Sequence, residues 1–210
     1  MARTLAVVPV KSFGRAKQRL GDAVAGRPAL AEAMARDVIE ALGVVRGLDG
    51  VIVVSGELRI EGTEVVDDPV EAGQSAAASL GVRAAVARGA QRVFLVPGDC
   101  PALDPAEVDG LLAGTAEGVV IVPDRHGSGT NALLIAPPEV MAPAFGPGSF
   151  ARHAALARAA GATVRVSRLP SLELDVDTPG DLEALRAALR ARGGGAARTR
   201  ALLERLAHAA

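Results

Sequence analysis

The chain has 210 residues, a formal net charge of −1 and a pI near 6.3, enough for one sizeable core and with no broad basic field for nucleic acid or anionic lipid. It contains no Trp, no Tyr and four Phe, which argues against a base-stacking platform, and its one cysteine, Cys100, rules out an internal disulfide framework. No apolar run approaches the roughly 20 residues that span a bilayer, and a strand pattern begins at residue 5 with no leader before it, so a cytoplasmic protein with no membrane partner is expected.

Two of the 23 basic residues are lysines, Lys11 and Lys17, and the rest are arginines; Asn131 is the one asparagine. Such a bias replaces Lys and Asn wherever replacement is harmless, so the survivors mark positions where chemistry resists substitution.

Residues 5–10 read as a buried strand that feeds a loop holding Lys11, Arg15, Lys17 and Arg19 beside Gly14. Four cations close together after a buried strand suit a polyphosphate, or else form a solvated basic face. No Walker loop and no G-x-G-x-x-G follows any strand. A helix is predicted from Pro28 to about Val45, strands over 51–55 and 64–66, and a helix from about Ser75, its expected cap, to Arg88.

The run Val93-Phe94-Leu95-Val96 is four consecutive apolar residues, the pattern of a strand covered on both faces of a parallel sheet. Pro97 and Gly98 stop it and leave Asp99 at its carboxyl end, where open α/β sheets hold ligands. Asp99 is there either a metal ligand or a turn residue bonded to its own backbone. Asp104 then caps a helix beginning at Pro105, with Glu107 at its third position.

Strands follow at 119–122 and 132–135, separated by Asp124-Arg125-His126-Gly127-Ser128-Gly129-Thr130-Asn131, which reads as an anion pocket or a hairpin turn. In Phe145-Gly146-Pro147-Gly148-Ser149-Phe150-Ala151-Arg152-His153, Ser149 opens a helix to about Ala160 and offers amides and a hydroxyl to an anion, with Arg152 one turn inside. After a strand over 163–168, alternation in Leu174-Asp175-Val176-Asp177-Thr178-Pro179 puts Asp175 and Asp177 on one face, a fitting second half for a Mg²⁺ site begun by Asp99. Thr178 caps the next helix, with Leu182, Leu185 and Leu189 as its buried stripe. The three glycines 193–195 separate an expected domain over 1–192 from a short helical tail over 193–210, taken as peripheral. The three histidines show no zinc-ligand spacing.

A basic loop, P-G-D-x-P, G-T-N, F-G-P-G-S-F-x-R-H and L-D-V-D-T-P in this order resemble the 2-phospholactate/phosphoenolpyruvate guanylyltransferases of deazaflavin coenzyme F-420 biosynthesis, over about 4–189. The resemblance implies a Rossmann-like α/β nucleotidyltransferase fold of the GT-A-like kind, with a mostly parallel central sheet flanked by helices. It also implies transfer of GMP from GTP, with Mg²⁺, to a phosphorylated three-carbon acid. Carried over by motif, Asp99, Asp175 and Asp177 hold the metal, and Lys11 and Lys17 act with Asp99 in catalysis. Lys11, Arg15 and Lys17 face the triphosphate, with Gly73 and Ser75 beside the nucleotide. Thr130, Gly146 and Ser149 bind the acceptor, and Asn131, Gly148 and Arg152 are further contacts to it. Phosphoenolpyruvate is the expected acceptor, with 2-phospho-L-lactate or 3-phosphoglycerate as alternatives, in a monomer or homodimer. The more distant alternatives are a metal-dependent glycosyltransferase, suggested by the D-x-D of Asp175-Val176-Asp177, and a non-catalytic guanine-nucleotide-binding module.

Overall fold

The computed structural model describes residues 2–15, 20, 26–60, 63–115 and 117–208. Its strands are β1 (Thr4–Pro9), β2 (Gly50–Val54), β3 (Glu64–Val66), β4 (Arg92–Leu95), β5 (Gly118–Pro123), β6 (Thr130–Ala136) and β7 (Val164–Val166). They form one seven-stranded sheet in the order β3-β2-β1-β4-β6-β5-β7. β1 pairs parallel with β2 and β4, β2 with β3, and β5 with β7, while β6 runs against both its neighbours. This is the mostly parallel sheet that the uninterrupted apolar runs predict. The reversal at β6 follows from loop length, because residues 124–129 are too few for a crossover, which takes about a dozen residues or more. The loop is thus a hairpin connection, one of the two readings its sequence allows.

Strand order also fixes where a ligand can sit. From β1 the chain moves outward to β2 and β3, then returns to add β4 on the other side of β1. Connections leave β1 and β4 in opposite directions, which opens a crevice at their carboxyl ends.

Helices α1 (Arg27–Gly43), α2 (Gln74–Ala87), α3 (Pro105–Ala113), α4 (Ser149–Ala159), α5 (Pro179–Ala191) and α6 (Ala197–His208) surround the sheet. Side chains alternate across each strand, so β1 sends Ala6 and Val8 to the core under α1 and α3, and Leu5 and Val7 to the core under α2 and α4. Helix α2 lies so close to the sheet that a Cβ on Gly81 would come within 2.3 Å of Val7, so only glycine fits. A third apolar cluster joins Leu30 and Met34 of α1 to Leu182, Leu185 and Leu189 of α5 and Leu202 and Leu203 of α6.

Caps place the remaining helices. Asp104 accepts from the amide of Ala106 at 2.9 Å and starts α3 as expected. Glu107 does not reach back to complete a capping box; its carboxylate accepts from the amide and hydroxyl of Ser171 at 3.1 and 2.8 Å, tying α3 to the segment before α5. Thr178 and Asp181 do form a reciprocal box at the start of α5. The tail helix α6 is pinned to α1: buried Asp37 accepts from the amides of Arg198 at 3.1 Å and Thr199 at 2.8 Å, capping α6 from another helix. No helix among the described residues is long and apolar enough to cross a membrane.

Candidate active site

A cleft of about 630 Å³ opens at the predicted crevice. Pro9 at the end of β1, Val10 and Lys11 after it, and Pro97, Gly98 and Asp99 after β4 form its floor. Asp175 and Asp177 close one side, and the openings of α2 (Gly73, Gln74) and α4 (Gly146, Gly148, Ser149) face into it.

The carboxylate side is assembled by backbone pairing. The Val176 amide donates to the Asp99 carbonyl at 3.2 Å, which sets the 175–177 segment against the end of β4 and brings three acidic side chains from distant parts of the chain to one wall. Burial raises the Asp175 pKa above the ordinary carboxylate value, and the neighbouring charges of Asp99 and Asp177 push it the same way. Asn131 works against that shift: its amide donates to Asp175 Oδ1 at 3.2 Å and to the Leu172 carbonyl at 2.9 Å. The one asparagine therefore holds the acidic wall in place. It lines the cleft, where the acceptor contact is expected of it, and its side-chain amide is engaged by Asp175 and the Leu172 carbonyl. Behind the wall, Asp181 accepts from the amides of Asp177 and Thr178 at 3.1 and 2.7 Å and pairs with Arg125, which fixes the turn carrying Asp177.

Among the described residues, no three His, Cys, Asp or Glu side chains are gathered tightly enough to hold one ion by themselves. The three-ligand cage that the sequence implies is thus not preformed. Magnesium is ordinarily bound by one or two carboxylates, with substrate phosphates and waters completing its shell. Hard oxygen donors, with Asp175 raised by burial and then by its charged neighbours, fit a cation of that kind.

On the β1 side, exposed Lys11 stands at the mouth of the cleft. Lys17 and the side chain of Arg15 lie outside the described residues. The loop that carries these cations is tethered by two carboxylates absent from the sequence expectation. Glu71 accepts from the Ser12 amide at 3.1 Å, and Glu57 accepts from the Phe13 amide. Gly73, not Ser75, caps α2, and the first amides of that helix have no intrahelical partners. Ser75 does not line the cleft; its hydroxyl donates to the Phe145 carbonyl at 3.3 Å. It joins α2 to the α4 loop.

On the opposite side, Gly146 at φ +111° takes a backbone conformation that L side chains rarely adopt. The amides of Ser149 and Phe150 are already donated, to the Gly146 carbonyl at 3.0 Å and the Ser128 carbonyl at 3.2 Å. Those two amides are therefore used within the protein, whereas the Ser149 hydroxyl has no partner among the described residues. Arg152 turns away from the cleft: its guanidinium donates to the carbonyls of Ala144 and Pro147, each at 3.0 Å, and of Phe145 at 3.5 Å. It braces the loop and is not among the residues that line the cleft. Thr130 lines the cleft at the start of β6, with its hydroxyl 3.0 Å from Nδ1 of His153.

The cleft thus lies at the strand-order switch, with an acidic wall facing two helix starts and a cation at its mouth. Solved structures with this fold include a putative nucleotide-diphospho-sugar transferase from Desulfovibrio desulfuricans G20, at TM-score 0.69 and 17% identity over 88% of this chain and 87% of that one. A nucleotidyl transferase from Methanothermobacter aligns at TM-score 0.61 and 20% identity over 90% of this chain and 99% of that one. The chain belongs to the guanylyl transferase CofC-like family, whose model matches residues 4–203. Relatives include a phosphoenolpyruvate guanylyltransferase of Conexibacter woesei, 50% identical over 97% of this chain and 96% of the relative. Another protein of that name, from Sphaerobacter thermophilus, is 39% identical over 87% of this chain and 92% of its own length.

Proposed function

We propose that the chain transfers GMP from GTP to phosphoenolpyruvate, releasing pyrophosphate and forming enolpyruvyl-diphosphoguanosine for deazaflavin coenzyme F-420 synthesis in the cytoplasm. The observation that carries this reading is the meeting of Asp99, Asp175 and Asp177 with Thr130, Gly146 and Ser149 around one cleft. Relatives named for the same reaction support the choice of acceptor.

An acceptor phosphate oxygen attacks the α-phosphorus of GTP, and pyrophosphate leaves in line. Both reactants are anions, so the chain's task is to hold two repelling phosphates close and offset their charge. Lys11 at the cleft mouth is placed for the triphosphate, with Gly73 at the α2 start beside the nucleoside. Thr130 and Ser149 supply hydroxyls, and Gly146 and Gly148 supply close backbone, to the acceptor. A phosphate monoester is already largely ionised near neutral pH, its second pKa being about 6, so the attacking oxygen needs no protein base. Magnesium, when bound by Asp99 and Asp175 with Asp177 beside them, would supply charge neutralisation on the phosphates.

Incubating GTP and Mg²⁺ with each acid separately and following pyrophosphate tests the reading. Release should depend on the acceptor, with the highest kcat/KM for phosphoenolpyruvate and a diphosphate-linked product by phosphorus NMR. Release with 2-phospho-L-lactate or 3-phosphoglycerate at higher kcat/KM would reassign the acceptor, and release with none of the three would refute the reaction.

A further inference from the structure

His153 lies in the second turn of α4, is fully buried, and takes no part in the reaction as derived above. Both its ring nitrogens are engaged. Nε2 lies 2.8 Å from the Ala144 amide, and Nδ1 lies 3.0 Å from the Thr130 hydroxyl oxygen. A backbone N–H can only donate, so Nε2 must offer a lone pair and carries no proton. The neutral ring then has its proton on Nδ1, which donates to Thr130 Oγ1. Burial, helped by the charge of Arg152, lowers the pKa of His153 to about 4 and keeps that single-proton form at neutral pH. Phe145 packs edge-on against the ring at 5.0 Å and 77°, which fixes its plane.

The consequence falls on Thr130. Its oxygen accepts from the imidazole, and its own proton has no acceptor among the described residues although the side chain lines the cleft. We infer that His153 is a positioning residue for the acceptor: it engages a lone pair of the Thr130 hydroxyl and so presents that hydroxyl's proton to an anionic oxygen in the cleft. A hydroxyl set in this way favours groups that only accept, a carboxylate or a phosphate. Through Ala144 the same ring also anchors the loop that carries Gly146, so one buried side chain orients two elements of the acceptor side. The inference rests on the assignment of Thr130 to the acceptor.

Two measurements test it. The variant His126→Gln/His208→Gln leaves one imidazole, since both replaced residues are exposed and neither lines the cleft. Nitrogen-15 NMR at pH 7 should show Nδ1 protonated and Nε2 bare; an Nε2–H tautomer overturns the inference and leaves the acceptor reading standing. In kinetics, His153→Phe should raise the acceptor KM about ten- to hundredfold, the worth of one hydrogen bond to a charged group, while the GTP KM stays within about threefold. His153→Asn, which can still place a donor near Thr130, should recover part of that loss. Thr130→Val should match His153→Phe, and adding His153→Phe to it should cost no more than about threefold further, because the two changes remove one interaction. Fully additive effects overturn the inference. An unchanged acceptor KM in Thr130→Val overturns both the inference and the acceptor reading. Should His153→Phe fail to fold, the tautomer measurement decides alone.

Discussion

Asp175 is the residue at which stability and function pull in opposite directions. Its pKa is raised by burial and by Asp99, so the folded chain holds the Asp175 proton more tightly than the unfolded chain does. The stabilisation from that proton is complete below the ordinary carboxylate value of 3.8 and is lost as pH rises through the raised value, leaving the charged group a liability at neutral pH. Asp175→Asn keeps the shape and removes the charge. It should raise the melting temperature of the ligand-free protein while cutting kcat/KM by about a hundredfold or more; calorimetry beside the pyrophosphate assay checks both signs, and a lowered melting temperature would contradict the account. Asp99→Asn should lose at least about 3 kcal/mol of transition-state stabilisation, so near-normal turnover would remove Asp99 from the mechanism. His153 has the opposite linkage. Its pKa is lowered to about 4 from 6.5, so the unfolded chain takes up the proton first and stability falls as pH drops below 6.5. Between pH 7 and 5 this should cost about 2 kcal/mol of unfolding free energy. Urea midpoints at the two pH values should show that loss in the native protein and not in a folded His153→Phe.

The acidic residues were legible in the sequence because each is a carboxylate just past a buried strand or in an alternating pair, where residue type and position together specify the chemistry. The roles of Asn131, Arg152 and Ser75 were not. Each is decided by a hydrogen-bond partner that packing supplies: Asn131 bonds to Leu172 and Asp175, Ser75 to Phe145, and Arg152 bends back onto carbonyls of its own loop. Composition had marked Asn131 as important, but only the fold shows that it serves the acidic wall. Glu57 and Glu71 carried no sequence signal, since a glutamate in a connecting loop looks the same whether or not it receives an amide.

At the scale of elements, the strands and helices follow hydrophobic period and capping residues closely, with differences confined to their ends. What period cannot report is docking. The amphipathic tail reads as a helix after a glycine break, yet its attachment depends on Asp37, a buried carboxylate in the middle of α1. Arg198 also reaches the carboxylates of Asp37, at 3.5 Å, and Glu40. Asp37→Ala removes a cap for two amides and leaves α6 held mainly by Leu202 and Leu203. It should cost about 2 kcal/mol of stability with kcat and both KM values unchanged, since Asp37 does not line the cleft. Thermal denaturation with parallel kinetics checks this, and a large loss of turnover in a folded variant would show that the tail reaches the site. The hairpin into β6 was open for a similar reason, because a glycine-rich loop can line a pocket and turn the chain at once.

Across the whole molecule, the switch of strand order at β1 brings a cation from the first loop, a carboxylate from the middle of the chain and two from near its end to the same opening. We propose that this opening holds one divalent cation together with the nucleotide triphosphate. Manganese binding measured by electron paramagnetic resonance, with a non-reacting GTP analogue present, tests it most directly. Affinity should fall at least about tenfold in Asp99→Asn and in Asp175→Asn, and should stay at the native value in Asp109→Asn, whose carboxylate serves Arg46 and Gly47 far from the cleft. Native manganese affinity in both Asp99→Asn and Asp175→Asn would contradict the account.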